Sequence, residues 1–200
     1  MIYCPYRKGD YMSRIEQNPI TMVFPAPAVM VTCGKNNIIT IAWTGTINSV
    51  PPMTYISVRK ERHSHKLLKE NMEFVINLTT EDLAYETDFC GTHSGKDMNK
   101  FETLNLTPIK SKKVTCPSIK ESPVSIECKV TQILELGSHD MFMAEIIGLT
   151  VDDRYTDEKG RFDVNKSKLI CYSAGKYFSL NEFIGHYGHT RNVSKTLSNS

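Results

Sequence analysis

The stretch from Thr40 to Ser64, TIAWTGTINSVPPMTYISVRKERHS, carries the side chains with the clearest chemical potential. The run Thr44, Gly45, Thr46, Ile47, Asn48 and Ser49 reads as a small-residue turn closed by Pro51-Pro52. Small and hydroxyl-bearing residues let a backbone approach a ligand closely and offer N–H donors to its rim. Met53 to Arg59 then reads as a strand, and a period of two puts Ser57 and Arg59 on one face. Arg62, His63 and Ser64 follow at the entry to a helix. A phosphate dianion is satisfied by guanidinium forks, hydroxyl donors and helix-terminal N–H groups, all supplied within this short span. The order suits a flat, polar-edged ring on the turn and a phosphate tail at the end of the next strand. The same residues also fit a polar hairpin loop and a solvated charged turn, RKERHSHK.

Other candidates are scattered. Asn77 interrupts the apolar alternation of Phe74, Ile76 and Leu78, and either bonds a ribityl hydroxyl or ring edge of such a ligand or faces solvent. In the loop Gly91 to Phe101, Ser94, Gly95 and Lys100 offer a second anion contact. His139, in the turn Gly-Ser-His-Asp, is either an exposed loop histidine or a group that orients a nicotinamide or flavin and manages charge near neutral pH. Trp43, the only tryptophan, flanks a ring or lies in a core or dimer face. His186 and His189 are spaced i, i+3 without a cysteine or carboxylate to join them, so no metal site is expected.

A chain of 200 residues supports one sizeable domain. Net charge of +2 gives little attraction to nucleic acid or an anionic membrane. No apolar run approaches the roughly 20 residues that span a bilayer. MIYCPYRKGDYMSR lacks an apolar signal core, and six scattered cysteines without C-x-x-C fit free thiols in a reducing cytoplasm.

The elements that must position these groups are mostly strands. Val29 to Val31, Ile38 to Trp43, Met53 to Arg59, Phe74 to Leu78, Val124 to Thr131, Met141 to Val151 and Leu169 to Ser173 carry strand signals. Helices are expected at Ser64 to Asn71, with Ser64 as N-cap, at Glu81 to Cys90 and at Asp97 to Leu104. Pro108 to Pro123 reads as a long loop. Strands with short helices inserted predict a β-barrel or sandwich with α decoration. No glycine-rich first turn of a doubly wound nucleotide fold occurs.

From Thr21 to Tyr177 the chain resembles the flavin reductase-like family of FMN-binding split barrels, which includes flavoredoxins. The pieces are FPAPAVMVT, NIITIAWTGTINSVPPMTYISVRKERHS, EFVINL, DFCGTHSGKDMNKF, SPVSIECKV and GSHDMFMAEI. The resemblance implies a mainly β, six-stranded split barrel over residues 19–184, with an N-terminal arm at 1–18 and a polar tail at 185–200. It implies a homodimer with FMN near the subunit interface and NAD(P)H as electron donor. Electrons would pass to free flavin, a ferric complex or a redox protein; the alternative is a flavoredoxin-type carrier with little direct NAD(P)H activity. By the same resemblance, Trp43 to Ser49 lie along the isoalloxazine. Ser57, Arg59, Arg62, His63 and Ser64 approach the phosphate and ribityl chain. The loop of Ser94, Gly95 and Lys100 closes over the phosphate, and His139 stands near the nicotinamide.

Overall fold

The computed structural model describes residues 14–180 and 182–188. Most of the expected arm (residues 1–13, with Cys4) and the end of the tail (residues 189–200, with His189) lie outside the described residues. Along the chain come β1 (Ala26–Pro27), β2 (Val29–Cys33), β3 (Asn37–Ile41), β4 (Thr44–Ser49) and β5 (Pro52–Arg59). Then follow α1 (His63–Asn71), β6 (Glu73–Leu78), α2 (Ala84–Thr92), α3 (Lys100–Thr103), β7 (Pro108–Ile109) and β8 (Ser118–Ile119). The long hairpin β9 (Val124–Glu135) and β10 (His139–Val151) precedes α4 (Val164–Ser167), β11 (Ile170–Ser173) and β12 (Lys176–Ser179).

The main sheet has seven strands in the order β3-β2-β6-β9-β10-β5-β4. Its two edge strands, β3 and β4, are consecutive in sequence and joined only by Ala42 and Trp43. Six strand spacings of about 4.8 Å would separate those edges by about 29 Å in a flat sheet. Three Cα steps from Ile41 to Thr44 span at most about 11 Å. The sheet must therefore roll until its edges approach.

Rolling encloses one face of the sheet. Thr54, Ile56 and Val58 of β5 and Phe142 and Ala144 of β10 alternate inward, as the strand period requires. They meet Val29, Val31, Ile39, Phe74, Ile76, Cys128 and Val130, and Leu68 from α1 packs into the same core. A second cluster forms outside, where Met30 and Ile38 pack against Leu83, Cys90, Phe101 and Leu106 around α2 and α3. β2 and β6 are consequently buried on both faces, which explains their near-continuous apolar sequences.

The structure corrects several expectations. Thr44 to Ser49 is a strand, not a turn: the turn is the Val50-Pro51 step. Hydroxyls reinforce the β4–β5 ladder, with Thr44 donating to the Tyr55 carbonyl (2.6 Å) and Thr54 to that of Gly45 (2.9 Å). That additional strand is why the main sheet has seven strands rather than six. Ser64 is not the N-cap of α1; the helix starts at His63, so Ser64 sits within its first turn. The expected helix at Asp97 shrinks to α3, because the Asn99 side chain caps it by accepting from Phe101 N. The stretch from Leu169 contributes β11 to a separate three-stranded sheet with β1 and β12, not to the main sheet.

Asn77 neither faces solvent nor lines a cleft. It is fully buried in β6, and its Oδ1 accepts from Ile119 N (3.0 Å) and Ser125 Oγ (2.8 Å). Its Nδ2 donates to the Met30 carbonyl at 3.1 Å. Here a buried amide welds β6, β9 and the β8 segment together. Replacing Asn77 with Ala strands two buried donors and should cost roughly 2–4 kcal/mol of stability. Urea unfolding measures this; unchanged stability would contradict the structural role.

Candidate functional site

Where the rolled sheet brings β3 back beside β5, a groove opens on the surface. One end is a cleft of about 430 Å³ between β5, the first turn of α1, and the segment from the end of α2 to α3. The other end, about 230 Å³, lies between β3, β5 and the start of β10. Ile39, Arg59 and Arg62 line both, so the two are halves of one elongated groove.

The first end is built for an anion. Arg59, Arg62, His63, Ser64, Ser94, Gly95 and Lys100 all line it, so residues far apart in sequence converge there. Lys100 is decisive. It is 2% exposed, and its ammonium donates to the carbonyls of Ile38 (2.7 Å) and Cys90 (2.8 Å). No carboxylate lies within ion-pair distance of it among the described residues. Burial lowers its pKa, and the nearby Arg62 cation acts in the same direction. An uncompensated buried charge costs several kcal/mol. An anion in the cleft would remove much of that cost and take the third ammonium proton.

Ser64 supplies a second donor. Its Oγ, buried in the first turn of α1, accepts from Asn37 Nδ2 at 2.8 Å. His93, which sequence reasoning did not single out, also lines this end, its ring stacked on Phe89 at 3.8 Å and 7°. The Cys90 and Cys33 thiols lie beneath, both pushed up to about 11 by burial.

The second end is flatter and more aromatic. Trp43 and His139 lie with ring centroids 4.4 Å apart and planes 36° apart. Ser57 and Tyr172 also line it; β11 gave no sequence signal of such a role. His139 is the first residue of β10 and pairs across the ladder with Arg59. Burial, and then the Arg59 cation, lower its pKa, which keeps the imidazole neutral near pH 7. Its Nδ1 shares a 2.8 Å hydrogen bond with Ser138 Oγ.

Not every expected residue reaches the groove. Thr44 lines a neighbouring cleft between β4 and residues 20–27, continuous with the groove through Ala42 and Trp43. Gly45, Thr46, Ile47, Asn48 and Ser49 run along the exposed edge strand instead. Asn77 is in the core.

The two ends are tied together from below. His65 Nε2 lies 2.7 Å from Asp140 Oδ2, and Lys60 Nζ lies 3.3 Å from Oδ1. The carboxylate is 1% exposed and immediately follows His139. The pair thus fastens the first turn of α1 to the root of β10.

A rolled, mainly β sheet with short helices outside and a surface groove at its seam defines a class, and comparison with known proteins names it. The model of the flavin reductase-like domain matches residues 21–181, and the chain belongs to that family. An uncharacterized protein of Archaeoglobus fulgidus is 34% identical over 166 residues, which is 82% of this chain and 93% of that one. Among solved structures, the flavoredoxin of Desulfovibrio vulgaris (Miyazaki F) superimposes with a TM-score of 0.84 at 26% identity, covering 90% of this chain and all of that one. An FMN-binding protein from Thermus thermophilus, solved with bound 1-cyclohex-2-enone, shares the fold with a TM-score of 0.74 at 19% identity, covering 88% of this chain and 99% of that one.

Asp140 makes the stability of this region acid-sensitive. Burial alone would raise its carboxyl, but the bonds from His65 and Lys60 outweigh it and hold the group below the usual carboxylate range. A depressed folded pKa stabilises above the unfolded value of about 4, and the contribution is lost as pH falls through the folded value. Asp140→Asn should therefore unfold at lower urea than the wild type near pH 6, and the gap should close as pH falls below the unfolded value through the depressed folded one. A gap independent of pH would exclude the ion pair as its source.

Proposed function

We propose that the groove holds FMN and that the protein is an oxidoreductase. The observation that carries this is the buried, carboxylate-free ammonium of Lys100 at one end of a groove whose other end is walled by Trp43 and His139. A phosphate monoester with a long polyol and a flat ring matches that sequence of environments. Lys100, Arg62, Ser64 and the Ser94–Gly95 backbone would hold the phosphate. Arg59 and Ser57 would meet the polyol, and Trp43, His139 and Tyr172 would border the ring. When bound, FMN supplies reversible one- and two-electron redox chemistry.

The chain's own contribution is then positioning and electrostatics. The cationic end fixes the phosphate and thereby the reach of the ring along the groove. A neutral His139 offers one ring nitrogen to a carboxamide or carbonyl without placing a second cation beside Arg59. Trp43 excludes water from one side of the ring end. NAD(P)H is the proposed donor, and free flavin, a ferric complex or a redox protein the proposed acceptor. A homodimer is part of the proposal, supported by apolar residues left open along β4 and the turn after it, where Ile47 is 41% and Val50 87% exposed.

The similarity to a flavoredoxin favours a second reading, a carrier that holds FMN tightly and reacts slowly with nicotinamides. An anaerobic visible spectrum decides. Prompt bleaching by NADH or NADPH is expected of a reductase; bleaching only with dithionite identifies the carrier. Lys100→Met should lower FMN affinity at least about tenfold, the worth of one hydrogen bond to a charged group, with riboflavin affinity little changed. A protein that cannot be reconstituted with FMN would overturn the proposal.

A further inference from the structure

Asn37 opens β3 and is 5% exposed. Its Nδ2 donates to Ser64 Oγ at 2.8 Å and to Cys33 Sγ at 3.2 Å. An N–H delivered to the Ser64 oxygen occupies one of its two lone pairs and turns the hydroxyl proton away from Asn37. Within the protein the hydroxyl's other neighbour is the Cys33 sulfur, a weak acceptor, and Ser64 lines the anion end of the groove, where an anion would take the proton better. The other amide atom, Asn37 Oδ1, is buried without a hydrogen-bond partner. It lies against Gly95: a Cβ added there would stand 2.0 Å from it. Only glycine lets the Ser94–Gly95 loop come down onto the Asn37 amide. One side chain therefore orients a donor from α1 and seats the loop that faces it across the cleft.

We propose that Asn37 is the positioning residue of the anion end: it holds the Ser64 hydroxyl as a donor into the cleft and seats the Ser94–Gly95 loop, and so sets the preference for a phosphorylated ligand over its unphosphorylated counterpart. This rests on the FMN reading of the groove. Asn37 itself does not line the cleft with Arg62 and Lys100; it acts through Ser64 and Gly95. Changing its amide to a carboxylate reverses the polarity of the bond. Asp at this position accepts the Ser64 proton, withdraws it from the cleft and adds a negative charge beside the anion.

The test is titration of the apoprotein with FMN and with riboflavin, followed by flavin fluorescence, alongside thermal unfolding. Wild type should bind FMN much more tightly than riboflavin. Asn37→Ala and Ser64→Ala should each weaken FMN about tenfold, with riboflavin within about twofold. The double variant should lose little beyond either single one, because both remove the same donor. Asn37→Asp should weaken FMN further than Asn37→Ala. Gly95→Ala should also weaken FMN, and Asn37→Ala in the same chain should relieve part of the clash. Equal losses for FMN and riboflavin, or fully additive losses for Asn37→Ala and Ser64→Ala, would overturn the inference and leave the FMN reading intact. A wild type that binds riboflavin as well as FMN would overturn both.

Discussion

The structure depends on one short connection. Ala42 and Trp43 join the two edges of a seven-stranded sheet, and so short a link allows only a rolled arrangement. The roll leaves a seam, with Ile39 on one bank and Arg59 on the other, and the groove is that seam. Trp43 therefore has two duties. Its carbonyl accepts from Ser57 N at 2.9 Å, continuing the β4–β5 ladder, while its ring stands against His139 in the groove. The residue that closes the fold also walls the site.

Polarity is distributed along the seam. Cations gather where the first turn of α1, the Ser94–Gly95 loop and α3 meet; Arg59 has an exposed carboxylate at 3.5 Å, that of Glu61, whereas the buried Lys100 has none within ion-pair distance among the described residues. Two buried carboxylates are committed elsewhere. Asp140 is consumed by His65 and Lys60 beneath the groove. Glu127, on the far side of the sheet, accepts from the backbone of Lys112, Lys113 and Val114 and so organises a loop rather than a ligand. The result is a buried ammonium, Lys100, with no carboxylate partner among the described residues, set in a scaffold where the buried carboxylates of Asp140 and Glu127 have theirs.

Much of this could be read from residue order. The period-two patterns of β5, β9 and β10 identified strands because one face of each meets the barrel interior. Ser57, Arg59, Arg62, His63 and Ser64 were visible as a group because strand and helix periods alone bring them together. β4 was not legible as a strand, since threonine, glycine and asparagine serve an exposed edge as well as a turn. Asn77 and Asn37 were harder still. A polar residue in an apolar strand looks the same whether it reaches a ligand or four backbone and hydroxyl partners, and Asn37 sits in a stretch whose composition spells only a turn. The difference lies in long-range packing, which the local pattern does not encode. The burial of Lys100 has the same origin, since it needs α3 to lie across the end of β3.

Beneath the cationic end lie two sulfur atoms, Cys33 and Cys90, with Lys100 bonded to the carbonyl of the second. A thiol with a pKa of about 11 is ionised to roughly one part in ten thousand at neutral pH. The floor of the groove thus holds its sulfurs almost wholly as neutral thiols. It offers bulk and polarizability with little thiolate to act as a nucleophile or be oxidised.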